Sequence, residues 1–497
     1  MPNKSLRILF VSSEAAPYAK TGGLADVTGS LPAALKALGV DVRQVLPYYR
    51  SIREKGFPIQ SLDEQVDAPV GAGTLKAWLF ETTTDAGIPV YFVDRLDFFD
   101  RPQLYGEGSR DYGDNLERFS FFCHAARRLP EVIKWRPHLI HCHDWQTGLL
   151  PALHKGARGQ GASSDRPKSV FTIHNIGYPG LFPQDRFGVT GLSRDDFFNS
   201  RGLEYYGWIS LLKSGIVFSD AVTTVSPTYA REIQTPEYGM GMDGILRQRQ
   251  ARLYGILNGA DYEVWDPGKD PHIAQTYDPD DMTGKRACKQ ALIQEMGLDS
   301  NRENRPLLAM ISRFDSQKGL DLFLAIMDAL LQMDVGVVVL GAGDGHVEWS
   351  IQEGFRRHPG RGAVYIGFHD ALAHRIMAGA DMLLVPSRYE PCGLTQIYAL
   401  KYGTVPVVRG TGGLEDTVQS YAPATGEGNG FKFYPYDAQA LFGAVREAVA
   451  VYYRSDAWGR LMTNGMGADF SWEVSAQRYL DVYASVLDPS APRVSTP

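Results

Sequence analysis

Short apolar runs recur along the chain, each closed by a glycine- or proline-containing turn and followed by a longer stretch with helical spacing. Runs rich in Ile, Leu, Val and Phe predict strands at Arg7–Ser12, His138–His141, Ser169–Ile173, Ala221–Val225 and Tyr254–Leu257. A second series follows at Leu307–Ile311, Val335–Leu340, Ala363–Ile366, Met382–Val385 and Val405–Val408. Near-continuous apolar strands alternating with helices are the pattern of parallel sheets covered on both faces. Leu24, Val27, Leu31, Leu35 and Leu38 recur at steps of three and four, which places them on one face of a helix after the first strand.

The strand series pauses between about Asn258 and Arg305, where Asp, Pro and Gly cluster. A domain boundary is expected there, after Gly259. That gives an N-terminal doubly wound domain over 1–259 and a second over 260–470. An amphipathic helix is expected over 471–487, then a disordered tail over 488–497. In open sheets of this kind ligands bind outside the carboxyl ends of the strands, so residues just after each strand are the ones to read for chemistry.

Composition narrows the reading. With 44% hydrophobic and 22% charged residues the 497-residue chain is an ordinary globular one. Its net charge of −7 gives no general attraction to nucleic acid or anionic membranes. The four cysteines are widely spaced, with no CxxC pair, as in a reducing compartment. The apolar run near the start is too short for a signal peptide, and no stretch approaches the roughly 18 apolar residues of a membrane span. A cytoplasmic chain with neither nucleic-acid nor membrane partners is expected.

Several segments sit where chemistry belongs. Lys20, Gly22 and Gly23 follow the first strand and open a helix, an arrangement suited to a phosphate or equally to a plain turn. Arg313 and Lys318 follow a strand in the second half and are suited to a diphosphate; a solvated basic loop has the same look. The segment Val385–Thr395 places Glu390 at a strand end, with Gly393, Leu394 and Thr395 offering backbone N–H groups at a helix start. Cys392 in that segment reads as a small filler, since no base adjoins it. His174 ends the strand SVFTI and is suited to holding a sugar, to proton transfer, or to a simple loop hydrogen bond. His141-Cys142-His143-Asp144-Trp145 looks dense in metal ligands, but alternation along a strand separates Cys142 from the two histidines. Asp144 and Trp145 therefore fit substrate contacts better than a metal, and neither metal nor cofactor is expected. The turn Gly341–Gly345 lacks the third glycine of a dinucleotide fingerprint, which disfavours a redox enzyme. Asp278 and Asp280 lie between the strand series and read as a solvated loop.

Together these residues resemble the glycogen and starch synthases of glycosyltransferase family 5. The likeness is carried by KTGGLADV at Lys20, HDWQTGLLPA at His143, TIHNIGYPG at Thr172 and TPEYGMGMDGIL at Thr235. GILNGAD at Gly255, SRFDSQKGLDL at Ser312, PSRYEPCGLTQIYALKYG at Pro386 and GTGGLEDTV at Gly410 continue it in order. A related family carries a second glutamate eight residues after the first, where this chain has Tyr398.

The resemblance implies an α/β GT-B architecture: two Rossmann-like domains facing across a deep cleft, acceptor side first and nucleotide-sugar donor side second, with the last helix returning to the first domain. It implies retaining transfer of glucose from ADP-glucose to the non-reducing end of an α-1,4-glucan such as glycogen, releasing ADP. It assigns catalysis to Glu390, His174, Arg313 and Lys318. Substrate contacts fall to Lys20, Gly22, Gly23, Tyr105, Asp144, Asn258, Cys392, Gly393, Leu394 and Thr395. Two other readings remain at this stage: an α-glucan synthase with a different nucleotide-glucose donor, and a catalytically silent glucan-binding protein on the same fold.

Overall fold

The computed structural model describes residues 5–108, 110–156, 166–488 and 490. Of the expected disordered tail, 489 and 491–497 lie outside the described residues. The chain divides into two compact units, one formed by residues 1–259 with 472–497 and the other by 260–471.

The first unit is built on nine strands: β1 (Arg7–Val11), β2 (Asp41–Pro47), β3 (Gln60–Val70), β4 (Gly73–Thr83), β5 (Pro89–Asp94), β6 (Leu139–His143), β7 (Lys168–Ile173), β8 (Ala221–Thr224) and β9 (Leu253–Gly255). Their order in the sheet is β9-β8-β7-β6-β1-β2-β5-β4-β3. Only β4 runs antiparallel to its neighbours. From β1 the chain builds outward through β2 and β5, then crosses back to place β6 on the other side of β1. The switch point of the sheet therefore lies between β1 and β6, and a crevice forms beyond their carboxyl ends.

Helix α1 (Gly23–Ala37) buries Leu24, Val27, Leu31 and Leu35, while Leu38 caps its end and stays exposed. The last helix of the chain, α2 (Trp472–Leu487), belongs to this unit. Trp472, Ala476, Tyr479, Val482, Tyr483 and Val486 recur at steps of three and four and pack against Ile8, Val27, Leu31, Leu139 and Tyr254. Of the first-unit strands, β2 to β5 are absent from the pattern reading. In β2, charged Asp41 and Arg43 interrupt the apolar run, although the Arg43 guanidinium is accommodated over the Trp135 ring at 4.6 Å. The β3–β4 hairpin forms the edge of the sheet, and most of β3 is exposed, so only a short apolar face, with Val66 and Ala68 buried, marks it in the sequence.

The second unit carries six strands, all parallel: β10 (Leu307–Ile311), β11 (Gly336–Gly341), β12 (Gly362–Ile366), β13 (Met382–Val385), β14 (Val405–Arg409) and β15 (Phe431–Phe433). The order β12-β11-β10-β13-β14-β15 is that of a doubly wound nucleotide-binding sheet, with the switch point between β10 and β13. Side chains alternate between two cores. Leu308, Met310, Val337, Val339, Met382 and Leu384 face one layer; Leu307, Ala309, Val338, Leu340, Leu383 and Val385 face the other. Both faces are covered, which is why these strands read as unbroken apolar runs. No helix among the described residues is long and apolar enough to cross a membrane.

Candidate active site

In the first unit, the residues after β1 are organised by Glu14. It is buried, and its carboxylate accepts hydrogen bonds from the Thr21 backbone N–H at 2.5 Å, the Thr21 hydroxyl at 2.7 Å and the Tyr105 hydroxyl at 2.6 Å. Burial raises the Glu14 pKa and outweighs these hydrogen bonds, which act to lower it. Tyr105 also lies 2.8 Å from the Ser13 hydroxyl. The segment Lys20–Gly23 is thus fastened from below through Thr21. Lys20 itself is half-exposed and ion-paired with Asp26 at 2.6 Å. A side chain at Gly22 or Gly23 would meet nothing within 4 Å, and neither residue has a positive φ. The fold does not demand glycine at these two positions.

Beyond β6 and β7 two predicted residues meet. Asp144 adopts a left-handed backbone at φ +55°, uncommon for a residue other than glycine. Its carboxylate accepts the backbone N–H of His174 at 2.7 Å, and that of Asn175 as well. Asp144 therefore holds the His174 loop, and burial pushes its pKa up to about 7. The His174 ring is buried, with Nε2 3.0 Å from His143 Nδ1. Parallel pairing of β6 with β7 sets His143 opposite Thr172, which brings residues 31 apart in sequence into contact. His141 and His143 share a strand face, with ring centroids 4.2 Å apart. No metal-ligating cluster occurs among the described residues. Asn258 follows β9; its Oδ1 is buried and has no hydrogen-bond partner among the described residues.

In the second unit, the segments after β10 and β13 are joined at the switch point. Lys318 Nζ lies 2.7 Å from Glu390 Oε2, and the Ser387 hydroxyl donates to the same oxygen at 2.9 Å. Glu390 is 5% exposed, so the pair is largely removed from solvent. Two hydrogen bonds fix the two loops against each other: Arg388 N–H donates to Gln317 O at 2.8 Å, and the Gln317 side chain donates from Nε2 to Tyr389 O at 3.2 Å. Gly319 has φ +71°, and a Cβ there would stand 2.0 Å from Pro386 O. Arg313 is more open, paired with Asp315 at 3.3 Å. Cys392 is buried, and Gln396 Nε2 donates to its carbonyl and to that of Gly393, both at 3.0 Å. Gly393 sits at φ +71°, Leu394 caps the following short helix, and Thr395 is its first residue.

The glycine turn after β11 has an internal explanation: Phe314 N–H donates to Ala342 O at 2.7 Å and Asp344 N–H to Phe314 O at 2.8 Å. It braces the Arg313 segment. Asp278 and Asp280 are exposed, as the reading of a solvated loop requires.

Thus Glu14, Tyr105, Lys20, Gly22 and Gly23 form one group, Asp144, His143 and His174 a second, and Lys318, Ser387 and Glu390 a third. Glu14, His143 and Ser387 are the members that sequence reading passed over.

Burial also sets how the first unit responds to acid. It lowers the pKa of His124, His141, His143, His154 and His174, the last two to about 3. These rings bind protons less well folded than unfolded. Their contribution to stability is whole above the ordinary value of 6.5 and is lost as pH falls below it, for His154 and His174 toward about 3. Asp144 and Glu14 work the other way, since their raised values favour the fold in acid; for Asp144 that effect fades as pH rises toward about 7. Five groups outweigh two, so the thermal midpoint is expected to drop between pH 7.5 and pH 5. An unchanged midpoint would show that these rings are solvated.

Two Rossmann-like units with ionic and hydrogen-bonding groups gathered at their switch points define a GT-B glycosyltransferase. Residues 7–248 match the starch synthase catalytic domain family, and residues 298–459 match glycosyl transferases group 1. The chain is 46% identical to a glycogen synthase of Anaeromyxobacter sp. over 97% of its length and 100% of the relative's, and 45% identical to one of Geotalea daltonii over 97% and 99%. The catalytic domain of starch synthase IV from Arabidopsis thaliana, solved with ADP and acarbose, superposes with a TM-score of 0.89 at 33% identity, covering 97% of this chain and all of that one. The chain belongs to the glycogen synthase family.

Proposed function

We propose that the chain transfers glucose, with retention of configuration, from ADP-glucose to the non-reducing end of an α-1,4-glucan and releases ADP. The observation that carries this is the Lys318–Glu390 pair at the switch point of the second unit, in a chain of this family. The bond from the anomeric carbon to the diphosphate breaks and one to the glucan's terminal hydroxyl forms on the same face. The difficulty lies in the departing diphosphate and the cationic sugar.

Arg313 and Lys318 offset the diphosphate charge, and the backbone at Gly393, Leu394 and Thr395 adds N–H donors. Glu390, its charge partly balanced by Lys318, holds glucose hydroxyls and stabilises the sugar cation. Cys392 shapes the same loop. The first unit contributes Lys20 with Gly22 and Gly23 for phosphate, His174 and Asn258 for sugar, and Tyr105 and Asp144, which hold the segments bearing them. The reading places the chain in the cytoplasm, where four buried free thiols are at home.

The test is incorporation of labelled glucose into precipitable glycogen, from ADP-glucose and separately from UDP-glucose, with no metal added. Strong incorporation from ADP-glucose is expected. Incorporation mainly from UDP-glucose would overturn the donor, and none from either would overturn the reaction.

A further inference from the structure

His143 takes no part in the reaction as described, yet it is wholly buried and touches His174. Its ring is held by Phe10, stacked at 5.4 Å and 24°, and by His141. His141 is fixed in turn by the Thr172 hydroxyl at 2.6 Å and by the Tyr483 hydroxyl of α2 at 2.9 Å. Of the two ring nitrogens of His143, Nδ1 faces His174 Nε2, whereas Nε2 is buried with no hydrogen-bond partner among the described residues.

Burial keeps both rings neutral, since it lowers both pKa values, that of His174 to about 3. A neutral imidazole carries one N–H and one bare nitrogen. Were the His143 proton on Nε2, a donor would be buried without an acceptor, the rarer and costlier arrangement. With the proton on Nδ1, His143 donates to His174 Nε2 and leaves only an acceptor unsatisfied. His174 then accepts at Nε2 and carries its own proton on Nδ1.

We propose that His143 is a positioning residue that fixes the orientation and tautomer of His174, so that His174 offers the substrate an N–H donor from Nδ1 and from no other atom. The proposal rests on the placement of His174 in the reacting site. Asp144 holds the backbone of His174 while His143 holds its ring. The segment His143-Asp144 is therefore a two-point clamp on one residue of the neighbouring strand's loop. A ring in the wrong tautomer presents a lone pair where a donor is needed.

The experiment uses the full chain with histidines labelled in 15N. Two-bond 1H–15N correlations report which nitrogen of each ring is protonated, and the His174 signals are those lost in His174→Gln. The native protein is expected to show His174 protonated at Nδ1. His143→Leu, which has no donor, is expected to lose that preference and about 10²-fold in turnover, with KM for ADP-glucose little changed. His143→Asn, whose amide can donate from the position of Nδ1, is expected to restore the tautomer and most of the turnover.

A native His174 protonated at Nε2 overturns the proposal, and the native spectrum decides this even if the leucine variant does not fold. Equal losses in the leucine and asparagine variants overturn it in favour of packing alone. His174→Ala separates this proposal from the reading beneath it. Full turnover in that variant removes His174 from the site, whereas lost turnover with a native tautomer at Nε2 refutes only the role of His143.

Discussion

Lys318→Ala is expected to lower turnover by about 10³-fold, the scale of removing one preorganised charge from a developing anion. It is also expected to destabilise the second unit by about 3 kcal/mol, because it removes the cation paired with the buried Glu390 carboxylate and leaves it the Ser387 hydroxyl. The two effects have separate origins and come apart in a second variant. Lys318→Ala combined with Glu390→Gln removes both charges, so the urea midpoint returns toward the native value while turnover stays low. Recovery of turnover together with stability would show that Lys318 supports the fold rather than the leaving diphosphate.

Glu14→Ala is expected to lower kcat/KM for ADP-glucose by about 10²-fold, by loosening the Lys20–Gly23 segment, whose Thr21 and Gly22 backbone it holds. Four donors converge on the Glu14 carboxylate: the Thr21 and Gly22 amides, the Thr21 hydroxyl and the Tyr105 hydroxyl. Alanine orphans all four. Glutamine keeps one oxygen for the Thr21 amide, and the two hydroxyls can rotate to accept from its NH2 group, so Glu14→Gln is expected to lose far less. Steady-state kinetics on both variants check this. Native kinetics in the alanine variant would mean that the loop after β1 does not serve the reaction.

The parts of this site that could be read in sequence lie beside a strong local signal. Arg313, Lys318, Glu390 and His174 each follow an apolar run, and such runs are conspicuous because both faces of a parallel sheet are buried. Glu14 follows one too, but it is a single acid among small residues, and what distinguishes it is the convergence of Thr21 and Tyr105, the latter 91 residues away. His143 stood in a motif weighed for metal ligation and read instead for its neighbours Asp144 and Trp145. Its partner is set by the register of β6 against β7, which no local pattern encodes. Strands β3 and β4 escaped notice because their buried apolar residues are few, Val66, Ala68, Ala77 and Leu79 among exposed polar ones, and β2 because Asp41 and Arg43 interrupt its apolar run.

The packing of α2 against the first unit bears on the order in which this protein is completed as it is made. The second unit, residues 260–471, is continuous in sequence and has all its strands once residue 471 has been synthesised. The first unit begins earlier but still lacks Trp472, Tyr479, Tyr483 and Val486, which cover Ile8, Val27 and Leu139. The stretch from Gly259 to Leu487 takes roughly 10–45 s to synthesise at about 5–20 residues per second. Throughout that interval Ile8, Val27 and Leu139 lack the helix that covers them. The unit started first is the one finished last.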